Sequence, residues 1–404
     1  MSNGVAHGGG EVQRVLELAR RHLDMDVAYL AEFTDGKQVY RALAGDAASF
    51  GWELGDGPAL GDTYCRLMTQ DLIANAIPDA AADPVVGGLA TTKEAGIGSY
   101  VGVPIRLADG SLYGSLCTLS HSAAPVDDKD ARFLRVLAEL VAADVQADHD
   151  RQQERARIQA LIESNRLEIA LQPIVDIATG RVRGVEALSR FPAEFGSPDQ
   201  VFAAATAAGV GTELERLAAA GAYALLPLLP SDVYMGINLT PAVAIELVEA
   251  TAHYTPDELP LRQLVLEITE HAAVESYEIL RDSLAAGRGR GLRLAIDDAG
   301  AGFASLHHIV ELRPDIIKVD RSLIDGMSHD AGRHSVVKAF VSLAADLAAT
   351  VVAEGVEERA DLDAARDMGV DAAQGYLLAR PTTDRDAISR WLEDDFGVGG
   401  PSAA

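Results

Sequence analysis

From Glu168 onward the chain repeats one unit: a short apolar run ending on a polar residue, then an Ala/Leu-rich helical stretch. The apolar runs are "EIALQPIV" (168–175), "RVRGVEALSRF" (181–191), "YMGINLT" (234–240), "LVLEITE" (264–270), "LRLAIDD" (292–298), "DIIKVD" (315–320), "ATVVAEGVE" (349–357) and "AAQGYLLARP" (372–381). Eight strand–helix repeats in about 240 residues suit a closed (β/α)8 barrel, where several strands deliver chemistry from their C-terminal ends. The pattern predicts that Glu186, Asn238, Glu267, Asp297, Asp298, Lys318, Asp320, Glu354 and Gln374 meet at one mouth.

Six carboxylates brought together without counter-charge cannot all stay ionised, because mutual repulsion raises their pKa values. Divalent cations resolve the conflict. An all-oxygen donor set with one amide and no Cys or His cluster favours Mg2+ or Mn2+ over structural zinc. The adjacent Asp297 and Asp298 can serve two ions, and paired ions clamp the attacking and leaving oxygens of a phosphoester. Gly300 and Gly302 then let the following loop fold over the site.

Ahead of this region the order differs. A helical pattern (12–24) precedes strand-like runs at 27–33 and 38–45, then "SYVGVPIRL" (99–107) and "LYGSLCTLS" (112–120) flank the hairpin signal Asp109-Gly110. A helix over 128–145 closes a small α+β domain. This order, with "GVPIRLADGSLYGSLCTLS" near its end, resembles the GAF sensory domain family, whose members often bind a small ligand or dimerise through their terminal helices. No residue identifies a ligand here. Cys65 is expected as a buried structural cysteine, a chromophore or redox thiol being the other reading. The expected divisions are a tail (1–10), the GAF-like domain (11–147), a charged helical linker (148–165), the barrel (166–396) and a second tail (397–404). The linker reads as an exposed helix or a two-helix signalling element. An apolar stripe at Phe133, Leu137, Leu140, Val141 and Val145 fades beyond it.

A formal charge of −27 argues against binding polymeric nucleic acid. It does not exclude a small anion, since the global field is screened beyond about 8 Å. No apolar run reaches membrane-spanning length without a charge, the start lacks the order of a signal peptide, and two cysteines make no disulfide framework. A cytoplasmic protein without membrane contact is the simplest expectation.

The strings "EALSR" (186–190), "NLT", "EITE", "DDAGAG", "KVD", "AEGVE" and "QGYLLARP" together resemble the EAL family of cyclic di-GMP phosphodiesterases. The resemblance implies a TIM-like barrel that hydrolyses cyclic di-GMP to linear 5′-pGpG. It implies that Glu186, Asn238, Glu267 and Asp297 hold a first metal, with Asp298 and Glu354 or Asp320 around a second. Lys318 would position the attacking water and Glu354 serve as general base. Gln172, Leu188, Arg190 and Gln374 would contact substrate, Glu270 would anchor the loop after the aspartate pair, and Glu357 would support it. Two departures stand out: Ala299 and Ala301 where many members have Phe and Thr, and "VFAAAT" (201–206) for "FIPLAE". No GGDEF-like synthase string occurs. Homodimerisation is implied, with the GAF-like domain as regulator. A catalytically weak or inactive cyclic di-GMP receptor and a metal-dependent hydrolase of another phosphodiester remain open as alternatives.

Overall fold

A computed structural model describes residues 10–251, 260–269, 274, 276–300 and 304–398. The chain divides into two compact units between Gln153 and Glu154.

In the first unit, strands β1 (Val27–Thr34), β2 (Lys37–Gly45), β3 (Ala76–Ile77), β4 (Ser99–Arg106) and β5 (Leu112–Ser120) form an antiparallel sheet ordered β2-β1-β5-β4-β3. Its two faces follow from the two-residue period of a strand. Ala28 and Leu30 pack with Val12, Leu16 and Ala19 of helix Gly10–His22 and with Leu134 and Val141 of helix Asp128–Ser164. Val27, Tyr29 and Ala31 point the other way, into a cluster with Tyr40, Tyr64, Cys65, Tyr100 and Cys117. The Asp109-Gly110 turn joins β4 to β5, and the Asp109 carboxylate accepts a hydrogen bond from Ser111 N at 2.8 Å.

The charged stretch after residue 145 does not form a separate linker helix. It continues helix Asp128–Ser164, unbroken over 37 residues, because it contains no glycine or proline to stop it. Within the apolar stripe only Leu140 is well exposed; Leu137, Val141 and Val145 belong to the first unit's core. Beyond the division at Gln153, Ile158 and Leu161 belong to the second unit and are buried there with Val201, Ala205, Val210 and Leu214.

The second unit is a closed barrel of β6 (Glu168–Asp176), β7 (Val182–Arg190), β8 (Tyr234–Asn238), β9 (Leu264–Thr269), β10 (Arg293–Ala299), β11 (Ile316–Val319), β12 (Thr350–Ala353) and β13 (Ala372–Ala373). The fold class is the expected one, an α+β unit followed by an eight-stranded α/β barrel. The uniform strand–helix repeat is not. β6 runs antiparallel to both neighbours, β7 and β13, while the remaining pairs are parallel. Only residues 177–181 join β6 to β7, too few for the crossover that a parallel pair needs.

Inside the barrel, Ile174, Tyr234, Val265, Ala295, Ile316, Val352 and Ala372 form one apolar cluster, and Gly184 abuts the Tyr234 ring. This layer sits beneath the site. Because side chains alternate along a strand, the next inward residues lie two positions on, or two back in the reversed β6. Those positions are Glu186, Gly236, Glu267, Asp297, Lys318, Glu354, Gln374 and Gln172.

Candidate active site

Strand parity therefore places one residue from each strand in a polar ring over an apolar plug. Lys318 is its centre, with 1% of its surface exposed. Its ammonium lies 2.6 Å from Glu267 Oε2, 2.8 Å from Glu354 Oε1, 3.0 Å from Asp297 Oδ1 and 3.5 Å from Glu186 Oε2. Gln374 Nε2 donates to Glu186 Oε2 at 2.6 Å and Gln172 Oε1 at 3.0 Å, and Gln172 Nε2 donates to the Ala379 carbonyl. Asn238 Nδ2 donates to Glu186 Oε1 at 2.8 Å, leaving its own oxygen for another partner.

The electrostatics are unbalanced. Burial alone would strip the proton from Lys318, but Asp297, Glu186, Glu267 and Glu354 outweigh it and hold the ammonium well above its usual range. Burial pushes Glu267 up to about 8, the nearby Lys318 opposing and Glu186 and Asp297 adding to the rise. Burial likewise lifts Glu354 well above the carboxylate range, reinforced by Asp297. One ammonium cannot neutralise four carboxylates.

The aspartate pair solves a geometric problem that periodicity creates. Successive strand residues should point to opposite faces. Here the β10–β11 register shifts between Ile296 and Ala299, and Asp298 takes a left-handed conformation at φ 53°. Bulges of this kind re-aim side chains beside active sites, and Asp tolerates the left-handed region better than most residues. Asp297 and Asp298 consequently join Glu354 in one group of carboxylates within 4.8 Å of each other, and Asp297 also belongs to a second group with Glu186 and Glu267.

The donor set fits divalent cations. The two groups share Asp297, all donors are oxygens, and Asp297 Oδ1 is buried with no hydrogen bond, its contact with Lys318 being an ion pair outside hydrogen-bonding geometry. Hard cations of the Mg2+, Mn2+ or Ca2+ type suit such a site.

Other expected residues stand further out. Asp320 belongs to neither carboxylate group; it caps helix Arg321–Ile324 by accepting from Ser322 N at 2.9 Å and, with Gln172, Asp298, Glu354, Glu357 and Gln374, lines an open cleft. Glu357 pairs with Arg321 at 3.2 Å. Leu188 and Arg190 are half-buried towards the end of β7, and the Arg190 guanidinium donates to the Ser189 carbonyl at 2.8 Å. Ala299 ends strand β10, fully buried, instead of lying in the loop, and Glu270 and Ala301 lie outside the described residues. His308 is buried against the Tyr277 hydroxyl and His307 is exposed beside the same ring.

Two contributors escaped the sequence reading. Arg321 lines the cleft and follows Asp320 directly, so a cation one residue beyond the "KVD" string was the available signal. Gly236 holds the ring position of β8, and a Cβ there would sit 2.7 Å from Glu267 Cδ and closer still to Oε1. Its absent side chain is the space that Glu267 occupies.

An EAL domain model matches residues 155–381 and a GAF domain model matches residues 11–146. The chain is 32% identical over 234 residues to Probable cyclic di-GMP phosphodiesterase PdeD of Escherichia coli K12, an overlap covering 56% of this chain and 43% of that protein. It is 29% identical over 250 residues to Probable cyclic di-GMP phosphodiesterase PdeB of the same organism, covering 59% and 46%. The chain thus spans less than half the length of these curated relatives. Among solved structures, an EAL domain protein from Listeria monocytogenes EGD-e is 25% identical at a TM-score of 0.53, over 58% of this chain and 96% of that one. The PaMucR phosphodiesterase in complex with c-di-GMP is 27% identical at a TM-score of 0.52, over 58% and 99%. With the EAL model matching more than half of the sequence, and the acid ring built from the same strands, the chain belongs to the EAL domain family and carries a GAF domain ahead of its barrel.

Proposed function

We propose that the barrel hydrolyses one phosphodiester bond of cyclic di-GMP, releasing linear 5′-pGpG. The observation that carries this reading is the ring of Glu186, Glu267, Asp297 and Glu354 about Lys318, with Asp298 brought in by the bulge. The similarity to PaMucR, a phosphodiesterase solved with c-di-GMP, and to the Escherichia coli relatives supports the choice of substrate.

Glu186, Asn238, Glu267 and Asp297 would hold one Mg2+ or Mn2+ ion, and Asp298 with Glu354 would hold a second, Asp320 standing nearby. When bound, such ions neutralise the carboxylates, polarise the phosphate and activate water. Lys318 holds the attacking water in line with phosphorus, and Glu354 takes its proton. Water oxygen bonds to phosphorus as the bond to the ribose 3′-oxygen breaks, and the departing 3′-oxygen takes a proton from solvent water, which leaves a 5′-phosphate and a 3′-hydroxyl. Gln172 and Gln374, tied to each other and to Glu186, contact the nucleotide, as does Leu188. Arg190 meets a phosphate, and Arg321 adds positive charge to an otherwise acidic cleft.

The GAF domain acts as regulator in this reading, and the working form is a homodimer. Val136 and Leu140, one helical turn apart and 58% and 61% exposed, offer apolar surface to a second copy. Among the described residues no helix is long and apolar enough to cross a membrane.

The test incubates the 404-residue chain with cyclic di-GMP and Mg2+, Mn2+, Ca2+ or EDTA and separates the nucleotides. Formation of 5′-pGpG with Mg2+ or Mn2+ and its loss in EDTA are expected. Binding without turnover would make the protein a receptor instead. Light scattering at micromolar concentration tests the dimer, and a fully active monomer would overturn that part.

A further inference from the structure

The chain has two cysteines, and they meet in the first unit. Cys65 lies on helix Tyr64–Thr69 and Cys117 on β5, separated by 52 residues in sequence, yet their sulfurs are 3.3 Å apart. Both are free thiols with no exposed surface. They sit on the sheet face turned away from the two long helices, among Tyr29, Tyr40, Tyr64 and Tyr100. Two of these rings aim polar ends at the sulfurs: the Tyr29 hydroxyl lies 3.0 Å from Cys65 Sγ, and the Tyr100 hydroxyl 3.6 Å from Cys117 Sγ. Opposite Cys117 in the β4–β5 register stands Gly102. A Cβ there would come within 2.9 Å of Cys117 Sγ and would collide with the Tyr100 hydroxyl. The glycine leaves room for the sulfur and the hydroxyl that faces it.

We propose that Cys65 and Cys117 form a redox-active dithiol, which a small two-electron oxidant of the peroxide class converts to an intramolecular disulfide. A disulfide needs a sulfur separation of about 2.05 Å, so the sulfurs must approach by a little over 1 Å. Side-chain rotation and a small shift of the six-residue helix carrying Cys65 supply that movement.

The two thiols have different roles. Burial alone would raise Cys117, but hydrogen bonds from the Cys65 thiol and the Tyr100 hydroxyl oppose it and hold Cys117 below the usual thiol range. Burial raises Cys65 well above that range. Cys117, fixed on the sheet with the Tyr100 hydroxyl 3.6 Å from its sulfur, serves as the attacking thiolate, and Cys65, on the short helix that moves toward it, as the resolving group. The Cys117 sulfur attacks one peroxide oxygen, the O–O bond breaks, and the departing hydroxide takes up a proton to leave as water. The resulting sulfenic acid is attacked by Cys65: the S–S bond forms, the S–O bond breaks, and a second water leaves with the Cys65 proton. Two thiols are oxidised by two electrons in all, and one peroxide is reduced to two waters. Full burial restricts the reaction to oxidants small enough to enter during local opening of the unit.

The experiment uses the 404-residue chain, reduced, desalted and exposed to graded hydrogen peroxide. Each sample is denatured in acid, then treated with N-ethylmaleimide and weighed intact. Before exposure two maleimide adducts are expected. Afterwards none should form, the mass should fall by two hydrogens, and a peptide pair joining Cys65 to Cys117 should appear and vanish with dithiothreitol. In Cys65→Ser the reaction should stop at a sulfenic acid on Cys117 that dimedone traps. Two persisting adducts, oxygen gain without a cross-link, or a cross-link between copies would each overturn the proposal. The parent protein alone decides the matter if the variant does not fold.

Discussion

Gly236→Ala tests the barrel site with the smallest possible perturbation, a single methyl group. Gly236 pairs with Glu186 on one side and Val265 on the other, so the backbone there is fixed by two parallel ladders. The new Cβ would lie 2.7 Å from Glu267 Cδ, about 0.7 Å short of the 3.4 Å at which ordinary contact begins. Glu267 is 1% exposed and held by Lys318 at 2.6 Å, so the carboxylate can yield only by drawing away from its ion-pair partner. The oxygen, nearer than the carbon, must move further. Misplacing a reacting group by about 1 Å costs on the order of 10²-fold in rate. Overpacking of a tight interior costs about 1–3 kcal/mol of stability. Turnover of cyclic di-GMP, followed by separating the nucleotides across a Mn2+ titration, should fall about 100-fold, with half-saturation shifted to higher metal. A variant that keeps parental turnover and metal dependence would show that the space beside Gly236 does not position Glu267, and the assignment of the ring would fail with it.

Lys318→Met should cost about 3–5 kcal/mol in EDTA, because it leaves Glu267, Glu354, Asp297 and Glu186 without their shared cation. Thermal melts should show part of that loss restored by Mn2+, and an unchanged Tm in EDTA would contradict it. Glu354→Ala and Glu186→Ala should each lower turnover by about 10²–10⁴-fold while calorimetry with Ca2+ still detects nucleotide binding; near-parental hydrolysis by either would refute their roles. Asp361, 2% exposed, accepts hydrogen bonds from Gly326 N and Ser328 N, both at 3.0 Å. Burial opposes its ionisation, but these backbone donors prevail and hold it below its ordinary value of 3.8. A depressed carboxylate stabilises the fold above its ordinary value and loses that contribution as pH falls through the folded one. Asp361→Asn should therefore cost about 1–3 kcal/mol at pH 7, with the gap to the parent closing in melts below about pH 4; a gap independent of pH would count against this account.

The strands of the barrel were legible because each is a short apolar run with a polar end, and the hairpin at Asp109-Gly110 because turn chemistry is local. The direction of β6 was not. Strand polarity depends on what the following connection can span, and the shortness of residues 177–181 was the clue. The acids that assemble at the mouth could be named from their place in each strand, whereas Gly236 could not, since it contributes by having no side chain. The bulge at Asp298 was hidden for another reason: alternation assigns Asp297 and Asp298 to opposite faces, and only a break in the ladder unites them. The meeting of Cys65 with Cys117 depends on how a helix seats on a sheet 52 residues away, which no local pattern encodes.

The reversed first strand decides where the polypeptide enters the barrel. In a barrel of parallel strands the chain would arrive at the rim remote from the acidic ring. Here Glu168 lies across from Arg190, at the far end of β7, so the chain arrives at the rim that carries the acids. Gln172 is four residues further on, about 13 Å along an extended strand. Immediately before that strand lies the end of helix Asp128–Ser164, seated on the barrel unit through Ile158 and Leu161. Only residues 165–167 separate this helix end from the strand bearing Gln172, and the Gln172–Gln374–Glu186 hydrogen bonds tie that strand to the ring.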